Sequence, residues 1–334
     1  MKRVALLTIG TVLLAASVPA HPQGPLGRRM QRFRSDVPLI LIRAIQAQPT
    51  IRYTGTYTVE FRQVQPPVRH QEYITRDGGR YRIDFPTDSK FSGQVIIEDE
   101  TVRLYYHPNT NEILQLPPRH GEAWDKVAVL AVDPKIRLSV TAGEQIAGHK
   151  TDQVVVSDLS GNVVQRLFIE PGSGIIMKRQ LFDMVGSPAG YFEFSSIDLN
   201  PKIDPSIFKI QRKDAKLITP LMQLQRVCQR RGFSYRFLTT GTGFQLEGVN
   251  GRKFAGIEGL VQTYLNGKVR LSVYQLKAPI DPDRLKQQAG PNQKFFSFQS
   301  AGETIVLIGN MPEKNLEHLG ALLLPGTAAP ASKL

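Results

Sequence analysis

The clearest alternation of apolar and polar positions lies in the stretch 51–64, IRYTGTYTVEFRQV. Its apolar side chains fall on one side, while the threonines, arginines and glutamate fall on the other. A period of two is typical of a half-buried antiparallel strand. Gly55 falls on the apolar side without a side chain, so it either bends the strand or lets another group approach the sheet closely. The stretch predicts one strand of a curved sheet with an apolar face.

Shorter alternating stretches follow, and turn residues separate them. Asp77-Gly78-Gly79 separates QEYIT from RYRIDF, and Asp99-Glu100 separates GQVII from TVRLYYH. Further turns are predicted at 109–111, 160–162, 172–174 and 187–188. Because parallel strands need long crossover connections, so many short strands predict an antiparallel sheet.

Two helices are predicted within this region. Ser35 or Asp36 can cap the first, with Pro38 in its first turn. The second is predicted over Glu122 to Val132, and it either plugs the open side of the curved sheet or packs on the edge of the sheet. The pattern leaves both arrangements open. One helical face carries Trp124, Val127, Ala128 and Ala131.

A charged connection, Gln211 to Lys216, precedes a different pattern. A helix capped at Thr219 is predicted to end at Gly232. Asn266-Gly267 joins two alternating strands, since both residues tolerate the positive φ of a type I′ turn. The second of these strands is apolar on parts of both faces, which predicts a central position. Pro312 opens a last helix, so the order helix, sheet, helix predicts a small α+β domain.

The N-terminus has the features of an export signal. Lys2 and Arg3 precede an apolar run, Val4 to Ala16, and small residues follow, so cleavage is predicted near Ala20. The run is too short for a membrane span, which needs about 20 residues. The predicted organisation is a signal peptide (1–20), a basic leader (21–34), a β-sheet domain (35–210), a linker (211–216), an α+β domain (217–325) and a tail (326–334).

Composition and charge narrow the class of protein and of partner. Hydrophobic residues make up 41% and charged residues 21% of the 334, a globular balance. Loss of Lys2 and Arg3 leaves 40 basic against 29 acidic residues, a net charge of +11. In an exported protein this excess points to an anionic membrane surface, lipopolysaccharide or an acidic partner before nucleic acid. Part of it lies in Gly27 to Arg34, the basic leader.

The residues that carry catalysis or bind metals show no recognisable arrangement. The chain has no H-E-x-x-H, no G-x-S-x-G and no phosphate-binding loop, and its six histidines are scattered. Cys228, the single cysteine, shares a helical face with Leu221, Leu224 and Val227, which predicts a buried thiol rather than a nucleophile. The sequence therefore predicts a protein that is not an enzyme and has no cofactor and no metal site.

Several motifs, in their order along the chain, resemble a known family. They are Tyr53 to Tyr57 opening a long strand, Ile203 to Phe208 closing the first region, Gly259 to Tyr274, and Ile308 to Pro312 leading into the last helix. The order is similar to the MucB/RseB branch of the periplasmic lipoprotein-carrier (LolA/LolB-like) proteins. One departure is Leu265-Asn266-Gly267, where relatives usually carry Ser-Asp-Gly. It preserves the turn but puts in doubt any partner contact made by the acidic residue.

The resemblance implies an α+β protein in which a curved antiparallel half-barrel with a helical lid precedes a smaller α+β domain. It also implies an apolar cavity that receives acyl chains of lipid or lipoprotein. We place this cavity on the apolar face of the first strand and on the hairpin that follows, with the only tryptophan as reporter. The candidate lipid-binding residues are Tyr53, Tyr57, Val59, Phe61, Tyr81, Ile83, Phe85 and Trp124.

The function implied by the resemblance is that of a periplasmic regulator. Such a protein senses lipid, binds the periplasmic segment of an anti-sigma factor and modulates envelope-stress signalling. The alternative is a periplasmic carrier or chaperone for lipoproteins or lipids, and the second domain favours the regulator, because a carrier needs only the half-barrel. A third interpretation is an envelope protein whose cavity is filled by its own side chains.

Overall fold

The computed structural model describes residues 34–62, 66–118, 127–183, 185–254, 256–267, 269–281, 284 and 292–325. The predicted signal peptide, nearly all of the leader and the tail lie outside these residues. Within the described ranges, no helix combines the length and apolar character needed to cross a membrane. The fold is mostly β rather than an even mixture of helix and strand, with two main sheets and a few helices packed against them.

The first sheet is large, curved and not closed into a barrel. Its strand order is β12-β6-β5-β4-β3-β2-β1-β11-β10-β9-β8-β7, and every neighbouring pair is antiparallel except β12 with β6. The predicted series of antiparallel strands is therefore confirmed. The strands are β1 (Arg52–Phe61), β2 (Val68–Asp77), β3 (Arg80–Asp84), β4 (Val95–Glu98), β5 (Arg103–His107), β6 (Glu112–Leu116), β7 (Ile136–Ala142), β8 (Asp152–Asp158), β9 (Val163–Ile169), β10 (Ile176–Phe182), β11 (Pro188–Asp198) and β12 (Lys216–Ile218).

Gly55 of β1 lies where another part of the sheet approaches closely. A Cβ added at Gly55 would stand 2.6 Å from the carbonyl oxygen of Ser196 and 2.9 Å from Cε1 of Phe194. The register between β1 and β11 also shifts between Thr56 and Tyr57, as at a β-bulge. Gly55 therefore makes room for the aromatic ring of Phe194 against β1.

One half of the first sheet carries a layer of helix. The helix α1 (Leu39–Ala47) buries Leu41 and Ala44 in a cluster with Val154 and Leu167 of the sheet. A short helical segment at 127–130 joins the same cluster through its own buried residues. The end of the predicted helix Glu122 to Val132 thus packs on a sheet face beside α1. Trp124 and the first residues of that prediction lie outside the described residues.

The start of α1 differs from the prediction. Its N-cap is Pro38, and no side chain caps the helix, so the prediction of a cap at Ser35 or Asp36 is wrong. Asp36 instead forms an ion pair with Arg34 at 2.8 Å. Arg34 also donates to the carbonyl oxygen of Ile136 at 3.1 Å. The ion pair occupies the carboxylate predicted to cap α1, and the hydrogen bond to Ile136 attaches Arg34, the last residue of the predicted leader, to the body of the protein.

The segment 205–215, which we call the connecting segment, lies on the opposite face of the first sheet. It begins with a 3₁₀ turn, Pro205–Phe208, capped by the Asp204 carboxylate. Phe208, Ile210 and Ala215 pack against an apolar cluster that includes Val95. The side-chain amide of Asn111 donates to the carbonyl oxygen of Lys213 at 3.1 Å. The residues predicted as a linker, 211–216, therefore follow the edge of the sheet, and Lys216 begins β12.

The second sheet has five antiparallel strands in the order β14-β15-β16-β18-β17, and a short two-stranded sheet pairs β13 with β19. The helix α2 has Thr219 as its side-chain cap and ends at Gly232, as predicted. The strand β16 is central, also as predicted. The elements are α2 (Pro220–Arg231), β13 (Arg236–Leu238), β14 (Gln245–Phe254), β15 (Ile257–Asn266), β16 (Val269–Leu276), β17 (Lys294–Ser300), β18 (Glu303–Gly309), α3 (Glu313–Ala321) and β19 (Leu323–Pro325).

Polar side chains within the core of this second unit satisfy one another. The Tyr264 hydroxyl donates to the Gln262 amide oxygen at 2.6 Å, and the Gln262 amide donates to Gln275 at 2.7 Å. Gln275 in turn donates to the Glu303 carboxylate at 3.1 Å. Buried amides without partners would destabilise the core, so this chain explains how Gln262 and Gln275 can be fully buried.

We expect Gly55→Ala to destabilise the protein by about 2 kcal/mol, because overpacking a filled sheet displaces backbone and ring atoms. The measurement is urea unfolding followed by circular dichroism. Gly248→Ala in β14 is the matched control, since no atom lies within 4 Å of its added Cβ. Equal unfolding free energies for the two variants would contradict the close approach of Phe194.

Candidate functional site

The register of the first sheet places the predicted lipid-binding residues on one face. Side chains of directly paired residues in neighbouring strands point to the same side. Val59 pairs with His70 of β2 and with Phe192 of β11, and the pairing continues through Arg179 to Leu167 under α1. The helices therefore cover the β8–β10 part of the same face. The part formed by β1 to β6 carries Tyr53, Tyr57, Val59, Phe61, Tyr81 and Ile83, with Phe85 directly after β3.

Aromatic contacts hold several of these residues in place. Tyr53 meets Phe194 edge-to-face with ring centroids 5.6 Å apart, and Tyr57 meets the same ring at 5.4 Å. Phe85 forms a second aromatic group, at 5.4 Å from Phe91. Tyr53 and Val59 are buried, while Tyr57, Phe61, Tyr81, Ile83 and Phe85 are half-buried. The structure thus brings seven of the eight predicted residues to one face, and Trp124 lies outside the described residues.

An apolar row crosses the strands of this face. Each member pairs directly with the next across the sheet, and strand neighbours are about 4.8 Å apart, so the row extends about 24 Å over six strands. Ile96 and Tyr105 are buried, yet they join none of the apolar clusters of the described residues. The row, which we call the apolar row, consists of Ile74, Ile83, Ile96, Tyr105, Leu114 and Ile218.

A charged row lies on one side of the apolar row. The Glu98 side chain is 0% exposed and the Arg103 side chain 5% exposed, and their closest charged atoms, Oε2 and Nε, are 3.5 Å apart. The Tyr81 hydroxyl donates to Glu98 Oε2 at 2.6 Å. The guanidinium of Arg76, further along this row, donates to the Gln48 side-chain oxygen at 2.8 Å. Burying a charge is costly unless the charge is paired and hydrogen-bonded. Glu98 has both kinds of partner, whereas Nε of Arg103 has the ion pair but no hydrogen bond within the part of the chain that the structure describes.

A second polar row lies on the other side of the apolar row. The Glu72 carboxylate accepts a hydrogen bond from the Tyr57 hydroxyl and lies 2.7 Å from Nε2 of His70. Burial and the neighbouring Glu72 carboxylate raise the pKa of Tyr57 well above its usual value. Burial lowers the pKa of His107, and the nearby Glu112 opposes this shift. Because its pKa is raised, the Tyr57 hydroxyl stays protonated and acts as a donor across the physiological pH range.

The two polar rows distinguish this face from the uniformly apolar surface that the alternation of β1 predicts. Sequence reasoning missed them because Glu72, Glu98 and Arg103 come from three strands and become neighbours only through pairing. It also missed every member of the apolar row except Ile83, because each of the other five is an ordinary strand residue in its own stretch. The sequence feature that could have indicated the apolar row is the apolar residue near the middle of each short strand. Only the register shows that these residues align.

The arrangement offers binding groups rather than reactive ones. Within the described ranges, no three His, Cys, Asp or Glu residues lie close enough together to hold a metal ion. Burial, assisted by Glu303, raises the pKa of the Cys228 thiol to about 12. Because the thiol stays protonated, it is not a nucleophile at neutral pH. The face can bury an extended apolar group between two rows of hydrogen-bonding side chains.

No family model matches the chain, and no curated protein matches it. Solved structures match the chain at low sequence identity. The chain resembles MucB and the LolA superfamily. The complex of MucA and MucB from Pseudomonas aeruginosa is 15% identical, with a TM-score of 0.39, over 86% of this chain and 98% of that chain.

Two further solved structures are similar to this chain. MucB crystallised alone is 15% identical, with a TM-score of 0.41, over 86% of this chain and 97% of its own. A LolA superfamily protein from Nitrosomonas europaea is 12% identical, with a TM-score of 0.28, over 51% of this chain and 96% of its own. The family resemblance expected from the order of sequence motifs is thus found again among solved structures. The function is argued below from the residues of this chain.

We expect Arg103→Met to destabilise the protein by about 3 kcal/mol, since it leaves the buried Glu98 carboxylate without its cation. The double variant Arg103→Met/Glu98→Gln should recover part of this loss, because no unpaired charge then remains. Urea unfolding measures both. Arg137→Met, at an exposed arginine of β7, is the control and should change stability by less than about 0.5 kcal/mol. If Arg103→Met matched the control, the buried pair would not stabilise the charged row.

Proposed function

We propose that this protein is an exported regulator that binds an acyl chain along the apolar row and a protein partner through its second unit. The half-barrel of this proposal is the curved first sheet, and α1 with the 127–130 segment forms its helical layer. The observation that carries the proposal is the apolar row itself. It is about 24 Å long and lies between two polar rows, and of its members only Ile74 packs against an apolar cluster of the described residues, one that Ala47 at the end of α1 also contacts.

The energetics suit a long aliphatic ligand. Each buried methylene contributes about 0.8 kcal/mol, so ten methylenes contribute about 8 kcal/mol, the free energy of a micromolar Kd, before the costs of association. The carboxylates of the polar rows, Glu98 and Glu72, are already hydrogen-bonded within the protein. A chain that strays sideways would displace those hydrogen bonds, so the rows confine it to the apolar row. The acyl chain of a lipid or lipoprotein has the required chemistry.

The far end of the apolar row favours a regulator over a carrier. Leu114 of β6 pairs with Ile218 of β12, two residues before α2 begins at Pro220. Glu112 of the same strand β6 forms an ion pair with Arg226 of α2 at 2.8 Å. An acyl chain that reaches Leu114 therefore contacts β6, the strand that is connected to the second unit through its pairing with β12 and its ion pair with α2. A simple carrier needs no such connection, and it remains the alternative function.

The proposed partner is the periplasmic segment of an anti-sigma factor. The sequence motifs that resemble the MucB/RseB family imply this class, and MucB itself has been solved in complex with MucA(peri). The proposed location is the periplasm, after cleavage near Ala20. The predicted basic leader, outside the described residues except for Arg34, would add attraction to an anionic membrane surface.

We expect fatty acids to bind about fourfold more tightly for each added methylene until the chain is longer than the row. Ile83→Asn should weaken binding about tenfold, because a polar amide replaces part of the apolar row. The measurements are affinity by competition with a fluorescent fatty acid and native mass spectrometry for co-purified lipid. Tyr73→Asn is the control, since Tyr73 is exposed on the opposite face of β2.

Two results would contradict acyl binding. One is an affinity that does not depend on chain length. The other is an Ile83→Asn variant that loses stability while the wild type binds no fatty acid, as expected if the protein's own side chains fill the site.

We expect Arg226→Glu to leave fatty-acid affinity unchanged but to abolish the effect of fatty acid on the second unit. The reason is that the substitution breaks the ion pair with Glu112, one of the links between β6 and α2. Hydrogen exchange of α2, measured with and without fatty acid, reports the effect. The charge-swapped variant Arg226→Glu/Glu112→Arg should restore it.

If hydrogen exchange of α2 did not respond to fatty acid in either the wild type or the variant, the proposed regulator function would be rejected. If a pull-down from envelope extract recovered lipoproteins but no anti-sigma factor, the carrier would be the remaining function.

A further inference from the structure

A cavity of about 460 Å³ lies between the connecting segment and the outer face of β2 to β4. Thr75, Arg82 and Asp84 of the strands line one side, and Lys209 and Arg212 line the other. Thr75 and Arg82 pair directly across β2 and β3, on the face opposite the apolar row. The cavity is therefore separate from the proposed acyl site, and both can be occupied at once.

The charges around this cavity are unbalanced. Three cations, Arg82, Lys209 and Arg212, face the single carboxylate of Asp84, so two positive charges are in excess. The Asp84 carboxylate already accepts two hydrogen bonds from Arg82, at 2.6 Å each. Lys209 is exposed, and no ion pair to it is found among the described residues. The cavity lacks a protein anion to balance Lys209 and Arg212.

Arg82 is fixed in position and still has donors available. Its third hydrogen bond goes from Nη1 to the carbonyl oxygen of Ile207 in the connecting segment, at 2.7 Å. A guanidinium has five N–H donors, so two remain after these three bonds. The Arg82 guanidinium is hydrogen-bonded to Asp84 on one side and to Ile207 on the other. Its two remaining N–H donors therefore keep a defined direction.

Arg212 is held in a second way. Its guanidinium carbon lies 5.3 Å from the centroid of the Tyr106 ring, a cation–π contact that leaves the N–H edge available. Ser206 and Gln211 add neutral polar residues to the lining. The cavity thus combines two oriented guanidinium groups with the ammonium group of an exposed lysine.

We infer that this cavity binds a small anion of the phosphate-monoester class. Guanidinium groups match the oxygens of phosphate, and a phosphate monoester carries a charge of about −1.5 to −2 at pH 7, which balances the excess. The volume lies within the range of about 300 to 1,000 Å³ that small-ligand sites occupy. The anion would bridge the first sheet to the connecting segment, which leads into β12 and the second unit.

The test is isothermal titration of the full mature chain with glycerol phosphate and with inorganic phosphate at low ionic strength. The wild type should bind with one saturable site. Lys209→Gln/Arg212→Gln should bind at least about tenfold more weakly, since two of the three cations are lost. Lys202→Gln/Lys253→Gln removes two exposed cations outside the cavity and should match the wild type.

Three outcomes would overturn the inference. They are the absence of saturable phosphate binding by the wild type, equal affinities for the wild type and the cavity variant, and equal weakening in the control variant. Thermal unfolding of each variant confirms that it is folded, as expected for exposed substitutions.

Anionic vesicles distinguish the source of the phosphate group. If a lipid headgroup occupies the cavity, glycerol phosphate should displace the protein from vesicles that contain phosphatidic acid, whose headgroup is a phosphate monoester, and the cavity variant should bind those vesicles more weakly than the control variant. If a free phosphate monoester is the ligand, glycerol phosphate should bind the cavity while vesicle binding is the same in both variants. Failure of acyl binding at Ile83 would leave either result unchanged, so the two proposals are tested separately.

Discussion

The pairing of β1 with β2 is the constraint on which the first sheet depends. Ten consecutive pairs, from Arg52–Asp77 to Phe61–Val68, follow one another without a shift. Because side chains alternate along a strand, a slip by one residue would send every apolar residue of β1 to the opposite face. β1 also pairs with β11, so the same register aligns the helix-covered half of the sheet with the half that carries the apolar row.

The buried charges beside the apolar row are costly to desolvate, which makes their presence informative. An apolar face alone would accept the proposed acyl chain in many positions, whereas rows of hydrogen-bonded polar groups would make sideways positions unfavourable. Tyr81 with Glu98 and Tyr57 with Glu72 repeat the same pairing of hydroxyl and carboxylate on the two sides. In the proposed complex, these polar groups would set the sideways position of the chain, and apolar contact would supply the binding free energy.

Local patterns were enough to predict some elements and not others. The strand β1 and the ends of α2 follow from residues within a few positions of one another, namely the alternation after Ile51 and the cap at Thr219. The apolar row joins residues as distant as Ile74 and Ile218, so no local pattern contains it. Likewise, the charged composition of 211–216 predicts a linker, whereas one small apolar side chain, Ala215, packs on the sheet. That the eight candidate residues bind lipid stays a prediction.

The parallel pairing of β12 with β6 has a consequence for the integrity of the chain. An edge strand presents unpaired N–H and C=O groups that can recruit a strand from another molecule. Residues Lys216 to Ile218 cover that edge, and the amide of Lys216 donates to the carbonyl oxygen of Asn111 at the strand's start. A fragment ending before this strand would expose β6 and become prone to self-association. The first sheet is therefore completed by residues that come after it in the chain, and residues 34–210 alone would not be a self-sufficient module.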